Sequence, residues 1–236
     1  MWFLLCSVGF AAWENFDMAL QKHVKDGVVD YQSLRETQAL TPEILWLSTS
    51  KLPVDQQDQK AFWINAYNLL TLDLIVDHPE ISSIRDLHNG EPWKKEVFIV
   101  AGQSITLDEI EHKILRPLGD PRIHAAINCA SRGCPPLQSF AYQGKTLDTQ
   151  LDLACRNWMA TNAYFLSTSQ LQLNSIFQWF KEDFEIYREP IPKLNKNMQG
   201  VVGFIIAYSD GSTQKELRER SYKITFSEYD WQLNGK

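Results

Sequence analysis

A chain of 236 residues that is 44% hydrophobic and 22% charged suits one large folded domain and lies far from the composition of a disordered protein. Its formal net charge of -6, with no Lys/Arg-rich run, argues against a general nucleic-acid binder, which presents a basic face. Aromatic residues make up 12%, with eight tryptophans, and point to a thick core and an aromatic-lined cleft.

Residues Met1 to Trp13 carry no charged side chain. The stretch is too short to span a bilayer, which takes about 20 residues. It matches the apolar core of a secretory signal, with Gly9-Phe10-Ala11 as a small-x-small cleavage site, although the basic leader is missing. Export to a periplasmic or secreted location is the expectation, with 1–12 as a signal remnant and 13–236 as a single domain; a retained N-terminus would mean the cytoplasm. No stable transmembrane anchor is expected.

Amphipathic spacing of Phe16, Leu20 and Val24 predicts a helix over 14–25, followed by a short extended Val28-Val29 and a second helix from near Gln32. Thr41-Pro42 opens another, with Thr41 as N-cap and Pro42 at the first helical position. The run Gln56 to Asp77 is the longest helix, apolar almost all round, so it is buried on several sides. Asn65 and Asn68 inside it must find partners. They either tie neighbouring loops to the core or sit beside a reaction centre.

Glu96 to Ile105 reads as a strand pair turning at Ala101-Gly102-Gln103, with Val97, Ile99 and Ile105 facing inward. Thr106 and Glu109 form a capping-box pattern for a helix whose buried stripe is Leu107, Ile110, Ile114 and Leu118. Glu111 falls at the edge of that stripe, where it is paired or has a raised pKa; Arg116, Arg122 or His124 could be the partner. His124 to Cys129 reads as a strand, or second as a buried helical turn. Further helices are expected over 146–162, 197–208 and 214–220, and strands over 171–176 and 222–231. The fold class is α+β: a mostly helical domain with a small antiparallel sheet.

The run Arg122 to Pro136 concentrates the chemistry: His124, Asn128, Cys129, Ser131 and Cys134. Thiol catalysis needs a sulfur that ionises near neutral pH, a base, and donors for an oxyanion. An offset of five residues puts His124 and Cys129 on opposite faces of a strand, and about 140° apart on a helix. A bulge or strand end near Asn128 is needed to bring them together. Cys129 and Cys134 are also close enough in sequence for a short disulfide, a structural or redox pair. Without the leader's Cys6 three cysteines remain, so one lacks an intramolecular partner; Cys155 reads as helix core. Glu109 and His112 have a dimetal-helix spacing but no second copy. No metal or cofactor is expected, and zinc-protease, phosphate-loop, dinucleotide and serine-hydrolase motifs are missing.

Four blocks carry a resemblance: Val29-Asp30-Tyr31, Phe62 to Asn68, Leu107 to His112 running to Leu115-Arg116, and Arg122 to Pro135. Trp179 to Phe184 fits as well. Together, over roughly 28–185, they resemble the bacterial branch of the domain of unknown function 547 family, which has no settled activity. Ala125 departs from it, where relatives often carry phenylalanine. The resemblance implies a fold distantly similar to papain-like and transglutaminase-like proteins, with Glu111, His124 and Cys129 as the suspected site. In that reading Cys129 is the nucleophile, His124 its base and Glu111 the group orienting the imidazole. Asn65, Asn68, Trp63, Arg116 and Ser131 are candidate binding residues. Two functions follow: a cysteine-dependent hydrolase or acyl/thiol transferase acting on an amide, thioester or small thiol, or a non-catalytic module binding a peptide or small molecule.

Overall fold

Residues 13–235 are described by a computed structural model; the signal-like segment and Cys6 lie outside them. The long helix predicted over 56–77 organises the fold. In chain order the elements before it are α1 (Glu14–His23), β1 (Val24–Lys25), β2 (Val28–Val29), α2 (Tyr31–Thr37) and α3 (Thr41–Thr49), and then comes α4 (Gln56–Asp77) itself. Asp55 caps α4 by accepting the N–H groups of Gln57 and Asp58, and from Ala61 to Leu72 the helix is buried on nearly every side. Pro42 sits in the first turn of α3 as expected, but Leu40, not Thr41, occupies the cap position and no side chain caps it.

After α4 come α5 (Pro92–Lys95) and the hairpin β3 (Phe98–Val100)–β4 (Gln103–Ile105). Its turn, at Ala101 and Gly102, has φ of 51° and 74°, the two positive values a type I′ hairpin loop requires. The turn's N–H groups donate to Leu47 and Ser48 on α3. That docking fixes the register so that Val100 faces in, whereas Val97 (56% exposed) and Ile99 (49%) face solvent, reversing the expected sides.

The helix opened by the Thr106–Glu109 capping box is α6 (Leu107–Glu109), and it widens into a π turn over Ile110–Leu115. The Arg116 N–H donates to the Glu111 carbonyl, five residues back. Widening shifts the helical phase, so the buried stripe is Leu107, Ile110 and Leu115, while Leu118 is 52% exposed and Ile114 only partly covered.

Next are α7 (Ile123–Ala126), α8 (Leu147–Thr161), β5 (Tyr164–Leu166), β6 (Gln170–Leu173), α9 (Ile176–Trp179), α10 (Gln199–Tyr208), α11 (Gly211–Glu219) and β7 (Lys223–Phe226). The segment starting at His124 is thus a helical turn, not a strand. The largest sheet is mixed: β6 pairs antiparallel with β5 and parallel with β7. Helices dominate and the sheets are small, so the class is α+β. The expected terminal strand stops at Phe226; the chain beyond it returns as a strap over the cysteine loop, where Asp230 and Gln232 accept from Gly133 and Arg132 and the Asn234 N–H donates to Ala130. Two hydrophobic clusters result, one around α4 and one around α8 and α10. Among the described residues no helix is long and apolar enough to cross a membrane.

Candidate functional site

A cavity of about 340 Å³ opens at the seam of the two clusters, and Glu111, His124, Cys129 and Cys134 all line it. Tyr67 of α4 contributes to its wall, with Trp93, Trp179, Phe180, Tyr229 and Trp231.

The cysteine loop is built by asparagines. Asn68 donates to the Ala126 carbonyl and accepts the Asn128 N–H at 2.8 Å, ending α7 and turning the chain. The Asn128 side chain then spans the loop, donating to Pro135 O and accepting the N–H of Ala130 and an amide hydrogen of Asn234. Ala130 adopts a φ of 60° although fully buried, a left-handed conformation that this over-determined loop holds in place. The break anticipated near Asn128 exists, and it brings Cys129 into the same cavity wall as His124.

Cys129 and Cys134 form a disulfide, their Cα atoms 6.3 Å apart. The two sulfurs differ. Cys129 is partly exposed, while Cys134 is buried and receives the Cys129 N–H at 3.0 Å. The Tyr229 hydroxyl lies 3.1 Å from one sulfur and 3.2 Å from the other, and Ser131 Oγ is 3.5 Å from the Cys129 sulfur. The remaining described cysteine, Cys155, is fully buried and free, as its helix-core position predicted.

His124 is buried and stacks on Phe180 at 4.4 Å. The group that orients it is Asp183, which accepts from Nε2 at 2.8 Å, not Glu111. Burial would raise the Asp183 pKa, but Arg116 and His124 overcome this and hold it well below the usual carboxylate range. An ionised carboxylate only accepts, so Nε2 carries the proton. Burial lowers the imidazole pKa against the pull of Asp183, leaving the neutral ring with Nδ1 as its basic nitrogen.

Glu111 accepts from the Tyr67 hydroxyl at 3.2 Å instead of pairing with Arg116, Arg122 or His124. Burial pushes it up to about 7, with Tyr67 and Arg116 opposing. Arg116 is committed to Asp183 through two nitrogens, and Arg122 to Asp120, Asp148 and Asp152.

Residues 51–159 match the family described as "Protein of unknown function, DUF547". No curated protein and no solved structure matches this chain. The DUF547 segment contains Glu111, His124 and both bridged cysteines; Asp183, Tyr229 and Trp231 of the cavity lie beyond it.

Several candidate binding residues stand elsewhere. Asn65 exchanges two hydrogen bonds with the Tyr142 backbone, Asn68 holds the Ala126 and Asn128 backbone as above, and neither lines the cavity. They are loop ties, the structural alternative of the sequence reading. Trp63 packs edge-on against Phe62 and does not line the cavity. Arg116 and Ser131 act one layer behind it, on Asp183 and beside the Cys129 sulfur. His112 is exposed at the cavity's edge, 3.6 Å from Asp108. Sequence reasoning missed Asp183 and Tyr229. Asp183 sits within the Trp179 to Phe184 block, an acid in a run of three aromatics, which was its available signal.

Proposed function

We propose that this cavity performs thiol–disulfide exchange on a small thiol or disulfide, as a thiol transferase. The asymmetry of the Cys129–Cys134 pair carries the reading. A substrate thiolate attacks the more exposed Cys129 sulfur; a new S–S bond forms there and the Cys129–Cys134 bond breaks. Its electron pair leaves on Cys134, where the Cys129 N–H and the Tyr229 hydroxyl are close enough to receive the thiolate. A second substrate thiol attacks the mixed disulfide, releasing oxidised substrate and the dithiol, which another disulfide reoxidises. Glu111, titrating at about 7 on the same wall, suits removal of the incoming thiol's proton.

The test is trapping. Cys134→Ser incubated with 2-hydroxyethyl disulfide should gain one adduct on Cys129 by mass spectrometry, and Cys129→Ser should stay unlabelled at Cys134. Equal labelling of both variants, or of neither, rejects the assignment.

A second reading is supported by the His124–Asp183 pair, an imidazole oriented by a carboxylate in the wall that holds Cys129. In the dithiol form Cys129 could then attack an amide or thioester carbonyl, with His124 as base. Turnover of a thioester that appears only after reduction and vanishes in His124→Ala would favour acyl transfer over exchange.

A further inference from the structure

The cavity's aromatic wall and its charge bear on which substrate it takes. Trp179 and Trp231 stack with centroids 5.8 Å apart, and Tyr229 packs against both at 4.8 and 4.5 Å. Trp93 meets Trp231 at 5.8 Å. Such an array gives the cavity an aromatic wall, in which Trp179 is 48% exposed. Two of the cavity's rings already hold cations: the Arg85 guanidinium lies 4.9 Å over Trp231 and that of Arg116 5.0 Å over Phe180. Neither arginine lines the cavity.

The lining charges have one predominant sign. Two carboxylates, Glu91 and Asp108, line the cavity with a single ammonium, that of the exposed Lys94, and Glu111 adds a third negative charge as pH rises through about 7. Asp183 behind the wall is already neutralised by Arg116. His112 beside Asp108 has its pKa lowered, by burial first, so the ring adds little positive charge near neutral pH. A neutral apolar ligand would desolvate the Asp108 carboxylate and bring no positive charge in return, and an anion would be repelled by it.

We infer that the cavity's ligand is a small organic cation, an ammonium or quaternary ammonium group seated against the tryptophan wall and facing Glu111 and Asp108. The inference deepens the proposed exchange reaction by naming its substrate class, a cationic thiol or disulfide, and rests on that reading only for the chemistry at sulfur. Aromatic faces bind such cations by quadrupole attraction, most strongly at tryptophan.

Binding is tested without any sulfur chemistry. Choline and its neutral isostere 3,3-dimethylbutan-1-ol are titrated into the disulfide form of the wild-type protein, followed by calorimetry and tryptophan fluorescence. Choline should bind about tenfold more tightly. Trp179→Ala, a change at a half-exposed side chain, should remove most of that advantage. Equal binding of the two ligands, or tighter binding of the alcohol, overturns the inference.

The reaction gives an independent reading. Cystamine, a dicationic disulfide, should label Cys134→Ser about tenfold faster than 2-hydroxyethyl disulfide, measured relative to each reagent's rate with a free small thiol. Choline binding with no labelling by either reagent defeats only the exchange reaction. Labelling at equal relative rates without a choline preference defeats only the cation.

Discussion

Asp183 accepts from His124 at 2.8 Å and simultaneously from two nitrogens of Arg116 at 2.7 and 2.8 Å. One carboxylate thus ties the 3-10 segment Lys181–Tyr187 to α7 and to the turn that follows the π segment. Asp183→Asn should cost about 3 kcal/mol in urea unfolding at pH 7, since it leaves a guanidinium and an imidazole N–H facing an amide. The pH dependence has a definite sign. A carboxyl held below its ordinary 3.8 contributes stability above that value and loses it as pH falls toward the folded pKa. The wild type should therefore destabilise more steeply than the variant below pH 4.

Glu111 predicts the opposite slope. Its pKa is raised from 4.5 to about 7, so between those values the native state binds the extra proton. Stability from this group is full below pH 4.5 and declines as pH rises through 7. Glu111→Gln keeps an acceptor for Tyr67 and abolishes the titration. Melting temperatures of the two proteins should coincide near pH 4, and the variant should be the more stable by about 2 kcal/mol at pH 8. A wild type that is the more stable at pH 8 would mean that the carboxylate has a cation partner.

The fold was legible where a single periodicity ruled the segment. The α4 helix, the capping box at Thr106 and Glu109, and the apolar α10 are all found where their spacing places them. Legibility failed where hydrogen bonds from elsewhere set the phase. Docking of the Ala101-Gly102 turn on α3 reversed the β3 faces, and the π turn moved Leu118 outward and Leu115 inward. The same limit applied to the site. Glu111, His124 and Cys129 do share one cavity, but the partners that set their chemistry, Asp183 and Tyr229, are 59 and 100 positions away in the chain. No local spacing reports such contacts.

Gly203 determines how close α10 can approach the segment that carries Asp183. A Cβ at this position would stand 2.0 Å from the Tyr187 carbonyl oxygen, and one at Gly200 would stand 2.7 Å from that of Phe184. Both obstacles are backbone, so relief requires the Lys181–Tyr187 segment to move. Gly203→Ala should lower stability by about 3 kcal/mol despite alanine's better helix propensity. Gly211→Ala, with open space around its Cβ, is the control that should be neutral or stabilising. Calorimetric melting of the two variants separates packing from propensity.

The disulfide and Asn128 both hold the cysteine loop, and their contributions should differ. Cys129 and Cys134 are five positions apart, so the bridge closes a short loop and restricts the unfolded chain by about 2 kcal/mol. Asn128 supplies three buried hydrogen bonds, to Pro135, Ala130 and Asn234, across the same loop and onto the C-terminal strap. Removing its side chain leaves three desolvated polar groups, at a cost of about 1 kcal/mol or more each. Asn128→Ala should therefore destabilise the protein more than the double Cys129→Ser/Cys134→Ser change, by about 1 kcal/mol in urea unfolding. The order matters for the proposed chemistry, because a loop held mainly by Asn128 keeps its shape when the sulfurs part. If the double serine variant instead melts first, the bridge is the loop's main support and reduction would disassemble the cavity.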